Sequence, residues 1–404
     1  MNKMVLGDVV NFLNSKRKPL SSKERETKKG IYPYYGASDI VDYIDEFIFD
    51  GRYLLISEDG ENLKTRKTPI AFIAEGKFWV NNHAHIVEGK DDETIDYLKF
   101  YFSQFNLLPF LTGAVQPKLS KGVLEKIEID FPTYEKRKFI NQRLRDIEQK
   151  IQLNTQISQT LEQITQAIFK SWFVDFDPVR AKADALADGK TQAEAEFAAM
   201  QIISGKTPEE LTALSQTHPE KYAELAEIAR AFPSEFEEVE GFGEVPRGWE
   251  VKTLSNLIAF VKGKKPKEIY PKQEKNMLPH ILISSLEGKY NEYCQTDKFI
   301  TVKYQDIIMV MDGASSGRIA IGHYGIIGST LAKLSIKDNK FWAIIYQLLK
   351  YKEKDIQGNT TGTTIPHTDK NRVNNYQTII PSNFILNKFN DFFDNSLLQI
   401  ISNR

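Results

Sequence analysis

The chain has 404 residues, with 53 Lys and Arg against 54 Asp and Glu, so its length points to two or three domains and its total charge gives no overall sign of a polyanionic partner. Hydrophobic residues at 41% and charged residues at 26% exclude a long disordered or collagen-like chain. One cysteine, Cys294, excludes an internal disulfide framework or a multi-cysteine zinc site and fits a reducing cytoplasm, and neither a signal-type apolar start nor a run of about 18 apolar residues is present.

In chain order, residues 1–132 alternate short β-branched runs (RYLLI, PIAFIA, KIEIDF) with Gly and Asn turns and one helical stretch, YLKFYFSQF, which predicts a mixed α and β domain. Residues 133–180 change character. From Tyr134 to about Trp172 there is neither Gly nor Pro, and Ile140, Leu144, Ile147, Ile151, Asn154, Ser158, Leu161, Thr165, Ile168 and Trp172 step by three and four. That is a heptad seam on a helix roughly 58 Å long, which needs a partner helix. Asn154, Ser158 and Thr165 either fix the register of that pairing or are solvated positions. Residues 181–244 hold 5 basic and 14 acidic residues, a net of −9, and read as a connector of short helices broken at Pro208, Pro219 and Pro233. Residues 245–381 return to strand-like runs (HILISS, QDIIMVM, NYQTIIP) with a helix at FWAIIYQLLKY, and residues 382–404 form a short second helix with Ile385, Phe389, Phe392 and Leu397 near one face. From residue 245 onward, 22 basic residues against 14 acidic ones give a net of +8, a basic surface hidden beneath the neutral total.

The two mixed domains repeat. TGAVQPKLSK at 112–121 matches TGTTIPHTDK at 361–370 at an offset of 249, and Pro132 matches Pro381 at the same offset. LGDVVNFLNSKRKP from Leu6 matches LSNLIAFVKGKKP from Leu254, while YLLISEDG pairs with IIMVMDG and WVNNHAHIV with GIIGSTLAKL. The predicted fold class is α+β: two homologous mixed domains related by pseudo-two-fold symmetry and joined by long, antiparallel, coiled-coil-like helices. Such a duplication suits a duplex DNA site with two half-sites, which differ because the copies differ.

Candidate contacts follow from side-chain chemistry. Lys16, Arg17 and Lys18, and Lys262, Lys264, Lys265 and Lys267, occupy matching loops where cations can neutralise phosphates or simply form solvated surface. In loops 112–121 and 361–372, Gln116, Lys118, His367 and Arg372 are the candidate base readers, with Thr363 and Thr364 beside them. The matched Thr112, Gly113, Pro117 and Lys121 read first as a turn that both copies need for folding, while Lys121 and its counterpart Lys370 are also candidate DNA contacts. MDGASSGRI at 311–319, with Arg318, is either a phosphate-binding loop or a hairpin turn. The aromatic group Trp172, Phe173 and Phe176 is either a docking patch or helix-end core.

IFKSWFVDFDPVRAKA at 168–183, VPRGWEVKTLSNL at 245–257 and the duplicated TG loop resemble the specificity subunits of type I restriction-modification enzymes. The resemblance implies a non-catalytic subunit whose two target-recognition domains read an asymmetric bipartite DNA site. It also implies helices that act as ruler and dock two methyltransferase subunits, favouring docking for Trp172, Phe173 and Phe176, with restriction subunits joining that core. No cofactor is expected on this chain, and AdoMet, ATP and Mg are expected on the partner subunits. The alternative is a DNA-modifying or nuclease enzyme with an unrecognised active site. Against it, the sequence has no Pro-Pro for an adenine methyltransferase motif, GKT at 189–191 and at 205–207 lacks the upstream Gly of a phosphate loop, and His83 and His85 have no nearby third ligand for a metal. No catalytic or metal-binding residue is therefore expected.

Overall fold

In a computed structural model, residues 2–113, 116–296, 299–362 and 364–403 are described. The chain divides into two compact units, Met1–Gln152 and Leu153–Arg404, and passes between them within one 40-residue helix, Tyr134–Phe173.

Both units are built on one plan. In the first, strand Asn2–Val5 pairs antiparallel with Glu128–Phe131; in the second, Glu250–Thr253 pairs antiparallel with Gln377–Ile380. A single helical turn follows each leading strand, Leu6–Val9 and Leu254–Leu257, with its leucines buried. Strands Val10–Phe12 and Ile258–Lys262 then pair antiparallel with Ala84–Gly89 and Leu331–Ile336. The echo between YLLISEDG and IIMVMDG becomes strands Phe49–Ser57 and Ile307–Val310, each running into a glycine at φ +107°, Gly60 and Gly313. The first unit extends this into a six-stranded sheet; the second divides its strands between two four-stranded sheets. Their cores are separate, one around Leu54, Ile56, Leu98 and Phe102, the other around Ile307, Met309, Ile344 and Phe389.

The acidic stretch folds into helices Asp177–Ala187, Gln192–Ser204, Pro208–Thr217 and Pro219–Ala231 and a hairpin of Phe236–Val239 with Gly243–Pro246. Pro208 and Pro219 start helices rather than break them, because proline's missing N–H costs nothing in a first turn. The two GKT triplets have the same kind of explanation. Gly189 and Gly205 close helices, and Thr191 and Thr207 open the next ones through capping boxes with Glu194 and Glu210.

From Asn154 to Phe173 the seam of the long helix finds its partner in Asn383–Ser402, whereas Ile147 and Ile151, expected on the same seam, are exposed. Phe169, Trp172 and Phe173 meet Phe389 at ring distances of 6.4, 6.2 and 5.0 Å, while Asn154 and Ser158 both hydrogen-bond to Asn403, at 3.4 Å. The two helices therefore run antiparallel. On the shorter helix the buried face is Ile385, Phe389, Phe393, Leu397 and Ile400; Phe392, expected near the seam, is exposed. Of the polar seam residues, Asn154 and Ser158 make the cross-helix contacts, and Thr165 is buried with its hydroxyl donating to Glu162 O of its own helix.

Candidate nucleic-acid interface

The duplicated loop is held by one geometry in both units. Thr112 and Lys118 exchange backbone hydrogen bonds at 2.8 Å, and Thr361 and His367 do so at 2.8 and 2.7 Å. The Gly60 and Gly313 N–H groups donate to Pro117 O and Pro366 O at 3.0 and 2.9 Å, tying each loop to the strand-end turn. Gly113 and Gly362 sit at φ +85° and +90°, where a β-carbon would come within 2.3 and 2.5 Å of the carbonyl oxygens of Gln116 and Ile365. Thr, Gly and Pro recur because this tight loop needs them.

The two basic loops expected in each copy converge on a carboxylate that sequence reasoning missed. In the first unit, Arg17 reaches Glu58 at 2.7 Å and the carbonyls of Asn82 and Ala84, and Lys118 reaches the other Glu58 oxygen at 3.4 Å. In the second unit, Lys262 and His367 reach Asp312 at 2.8 and 2.7 Å. Burial alone would push both acids up. The Arg17 hydrogen bond together with the nearby charges of His85, Arg17 and Lys118 outweighs it at Glu58, and the hydrogen bonds and charges of Lys262 and His367 do so at Asp312, so both carboxyls lie below their ordinary range. Lys121 and Lys370 lie over the rings of Phe12 and Phe260, at 5.5 and 5.7 Å, another pair at matching positions. Only in the second unit is the organising acid the Asp of the shared Asp-Gly; in the first it is Glu58, one residue earlier, while Asp59 contacts His83 at 2.9 Å.

The remaining candidates separate into two groups. Lys16, Lys18, Lys264, Lys265, Lys267, Gln116 and Thr364 are exposed, and among the described residues the five lysines stand in no ion pair. Arg372, by contrast, is clamped to Asp355 through two hydrogen bonds of 2.9 and 2.8 Å. Arg318 is half-buried, 3.6 Å from Glu287, and the Ser316 hydroxyl in its loop points inward to Gly313 O and Pro366 O, the arrangement of a structural turn. Thr363 lies outside the described residues.

Trp172, Phe173 and Phe176 require a correction. They are 6, 4 and 5% exposed and pack within the second unit on Phe232, Trp249 and Phe389, so the SWFVDF and PRGW motifs meet each other in the core and offer no free docking patch. Phe176 adopts a left-handed φ of +58°, costing about 1–2 kcal/mol, which burial of its ring offsets. The two histidines of VNNHAHIV have unlike surroundings. His83 is exposed and contacts Asp59 at 2.9 Å, whereas His85 is buried, its Nε2–H donating to Leu119 O and its Nδ1 accepting from Asn14; burial pushes its pKa down. Among the described residues no three His, Cys, Asp or Glu gather into a metal-ligand set, and no helix is long and apolar enough to cross a membrane.

The duplicated scaffold brings two basic loops together on one carboxylate in each copy. The chain belongs to the family of type I restriction modification DNA specificity domains, which matches residues 1–163 and again 246–394. The HindI specificity subunit of Haemophilus influenzae is 42% identical over 282 residues, 65% of this chain and 57% of that one, so the match spans little more than half of that relative. The MjaIX specificity subunit of Methanocaldococcus jannaschii matches at 24% identity over 95% of this chain and 84% of its own. Among solved structures, the type I restriction-modification S subunit from M. genitalium has a TM-score of 0.52 at 14% identity, covering 99% of this chain and 90% of that one, a likeness of fold.

Proposed function

We propose that this chain is the DNA specificity subunit of a cytoplasmic type I restriction-modification complex, each unit reading one half of an asymmetric bipartite site. The observation that carries this reading is the repeated pairing of two basic loops on one carboxylate, with lysines left exposed beside it. The exposed lysines neutralise phosphates, while Gln116, Thr364 and the neighbouring side chains face base edges. Arg17 and Arg372, held by internal carboxylates, shape the loops rather than read bases. Catalysis belongs to partner subunits: two methyltransferase subunits carrying AdoMet, and restriction subunits using ATP and Mg. The chain itself contributes recognition and assembly. Replacing residues 1–132 by the corresponding domain of a relative, reconstituting the complex and mapping methylated adenines tests this. One half-site changes and the other stays; a change in both, or methyl transfer by the purified chain alone with AdoMet and DNA, overturns it.

A further inference from the structure

In the first unit, two buried aromatic side chains hold the backbone of the basic loop from beneath. Tyr34 and Trp79 are 1 and 6% exposed and are register partners on adjacent parallel strands, Lys29–Tyr35 and Ala71–Val80. The Trp79 Nε1–H donates to Lys18 O at 2.6 Å, and the Leu20 N–H donates to the Tyr34 hydroxyl at 2.9 Å. Arg25, lying over the Tyr34 ring at 5.2 Å and paired with Asp42 at 3.2 Å, donates to Leu20 O at 2.8 Å. The Leu20 side chain packs against Tyr34, Ile44 and Trp79. With Arg17 held by Glu58, the backbone is fixed on both sides of Lys18, while the Lys16 and Lys18 side chains stay exposed. The interior of the unit therefore decides where these two cations stand.

The second unit keeps the strand pair and lacks this clamp. There His280 and Ile326 are the parallel register partners. Ile326 has no side-chain donor. His280 turns its Nδ1 to Glu292 at 2.8 Å, and its buried Nε2 has no hydrogen-bond partner among the described residues. Neither side chain ties down the loop that carries Lys264, Lys265 and Lys267.

We propose, resting on the reading of the chain as a DNA specificity subunit, that Tyr34 and Trp79 are positioning residues for the half-site read by the first unit. They touch no base. By presetting Lys16 and Lys18 against the phosphates they fix the register in which neighbouring side chains meet base edges, and the loop loses little freedom on binding. Without them the cations still attract DNA, but the loop slips and discrimination falls.

Two measurements test this with Tyr34→Phe, which removes one oxygen and keeps the ring, and Trp79→Phe, which removes the indole N–H. Hydrogen–deuterium exchange of the full chain without DNA reads the clamp: Tyr34→Phe is expected to speed exchange at the Leu20 amide about fivefold, with a melting curve confirming the fold. In the complex reconstituted with methyltransferase subunits, methylation of duplexes carrying single substitutions in one half-site reads the positioning. Discrimination in kcat/KM at the first unit's half-site is expected to fall about fivefold in both variants, through KM, and at the other half-site to stay unchanged. Should Trp79→Phe unfold the chain, Tyr34→Phe alone carries both measurements. Unchanged exchange at Leu20 overturns the clamp; faster exchange with unchanged discrimination, or an equal loss at both half-sites, overturns the positioning role. A parent complex that methylates no bipartite site overturns the DNA reading and the proposal with it, and the two failures are told apart because the exchange measurement needs no DNA.

Discussion

At the scale of single residues, what matters is whether a charge is already spoken for. Lys264 and Lys265 are exposed without an ion-pair partner among the described residues, so counter-ions are all that a phosphate must displace from them. Changing both to Ala is expected to weaken binding to every DNA sequence alike and to reduce the slope of log affinity against log salt by ~2; binding titrations at several salt concentrations read both effects, and a loss confined to one sequence would assign these lysines to base reading. Asp355 illustrates the opposite case. Hydrogen bonds from Arg372 and Tyr376 hold its carboxyl at about 2, below its ordinary 3.8, and Tyr376, desolvated and bound to that carboxylate, is pushed up to about 12. A depressed carboxyl stabilises the fold above its unfolded value and loses that contribution as protons bind between 3.8 and about 2. The melting temperature of Asp355→Asn should therefore lie below that of the parent at pH 5–7, with the gap narrowing as the pH falls toward about 2; a gap independent of pH would mean that the clamp is not electrostatic.

At the scale of elements, the aromatic end of the long helix was the least legible feature. Trp172, Phe173 and Phe176 are spaced as any helix-end cluster is, and spacing alone does not reveal whether such a face meets solvent, another protein or its own chain. The structure closes it with Phe232, Trp249 and Phe389, brought from 60 to 217 residues further along the sequence. Trp172→Ala should accordingly cost about 3–5 kcal/mol of unfolding free energy, measured by denaturant titration; a stable variant defective only in assembly would restore the docking role. The duplicated loop, in contrast, was legible, because Thr, Gly and Pro at fixed spacing encode local backbone hydrogen bonds and a positive φ that need no distant partner.

At the scale of the molecule, the chain passes from one unit to the other inside a single helix, and residues 146–153 of that helix are exposed on every side. Inserting four residues after Glu148 adds about 6 Å and nearly one turn, while sparing the contacts of Asn154 and Ser158 with Asn403. If the helix sets the spacing of the two half-sites, methylation mapping of the reconstituted complex should show unchanged half-sites and a spacer longer by about one or two base pairs, since B-DNA rises about 3.4 Å per base pair along each strand. Activity should fall, because the half-sites also rotate about the DNA axis. An active variant with an unchanged spacer would remove the helix from that role.

Periodicity determined the long helix, the offset of 249 determined the duplication, and segmental charge located the basic copy; each is a property of neighbouring or regularly spaced residues, so the chain carries it without being folded. Tertiary structure decided which cations are free. Arg17 and Lys18 are adjacent in sequence, yet one is held by Glu58 from 41 residues away and the other stands exposed in solvent. It also decided which aromatic face is core, since only the path of the chain puts Phe169, Trp172 and Phe173 against Phe389. Burial and ion pairing depend on what arrives from far along the chain, and no local pattern encodes that arrival.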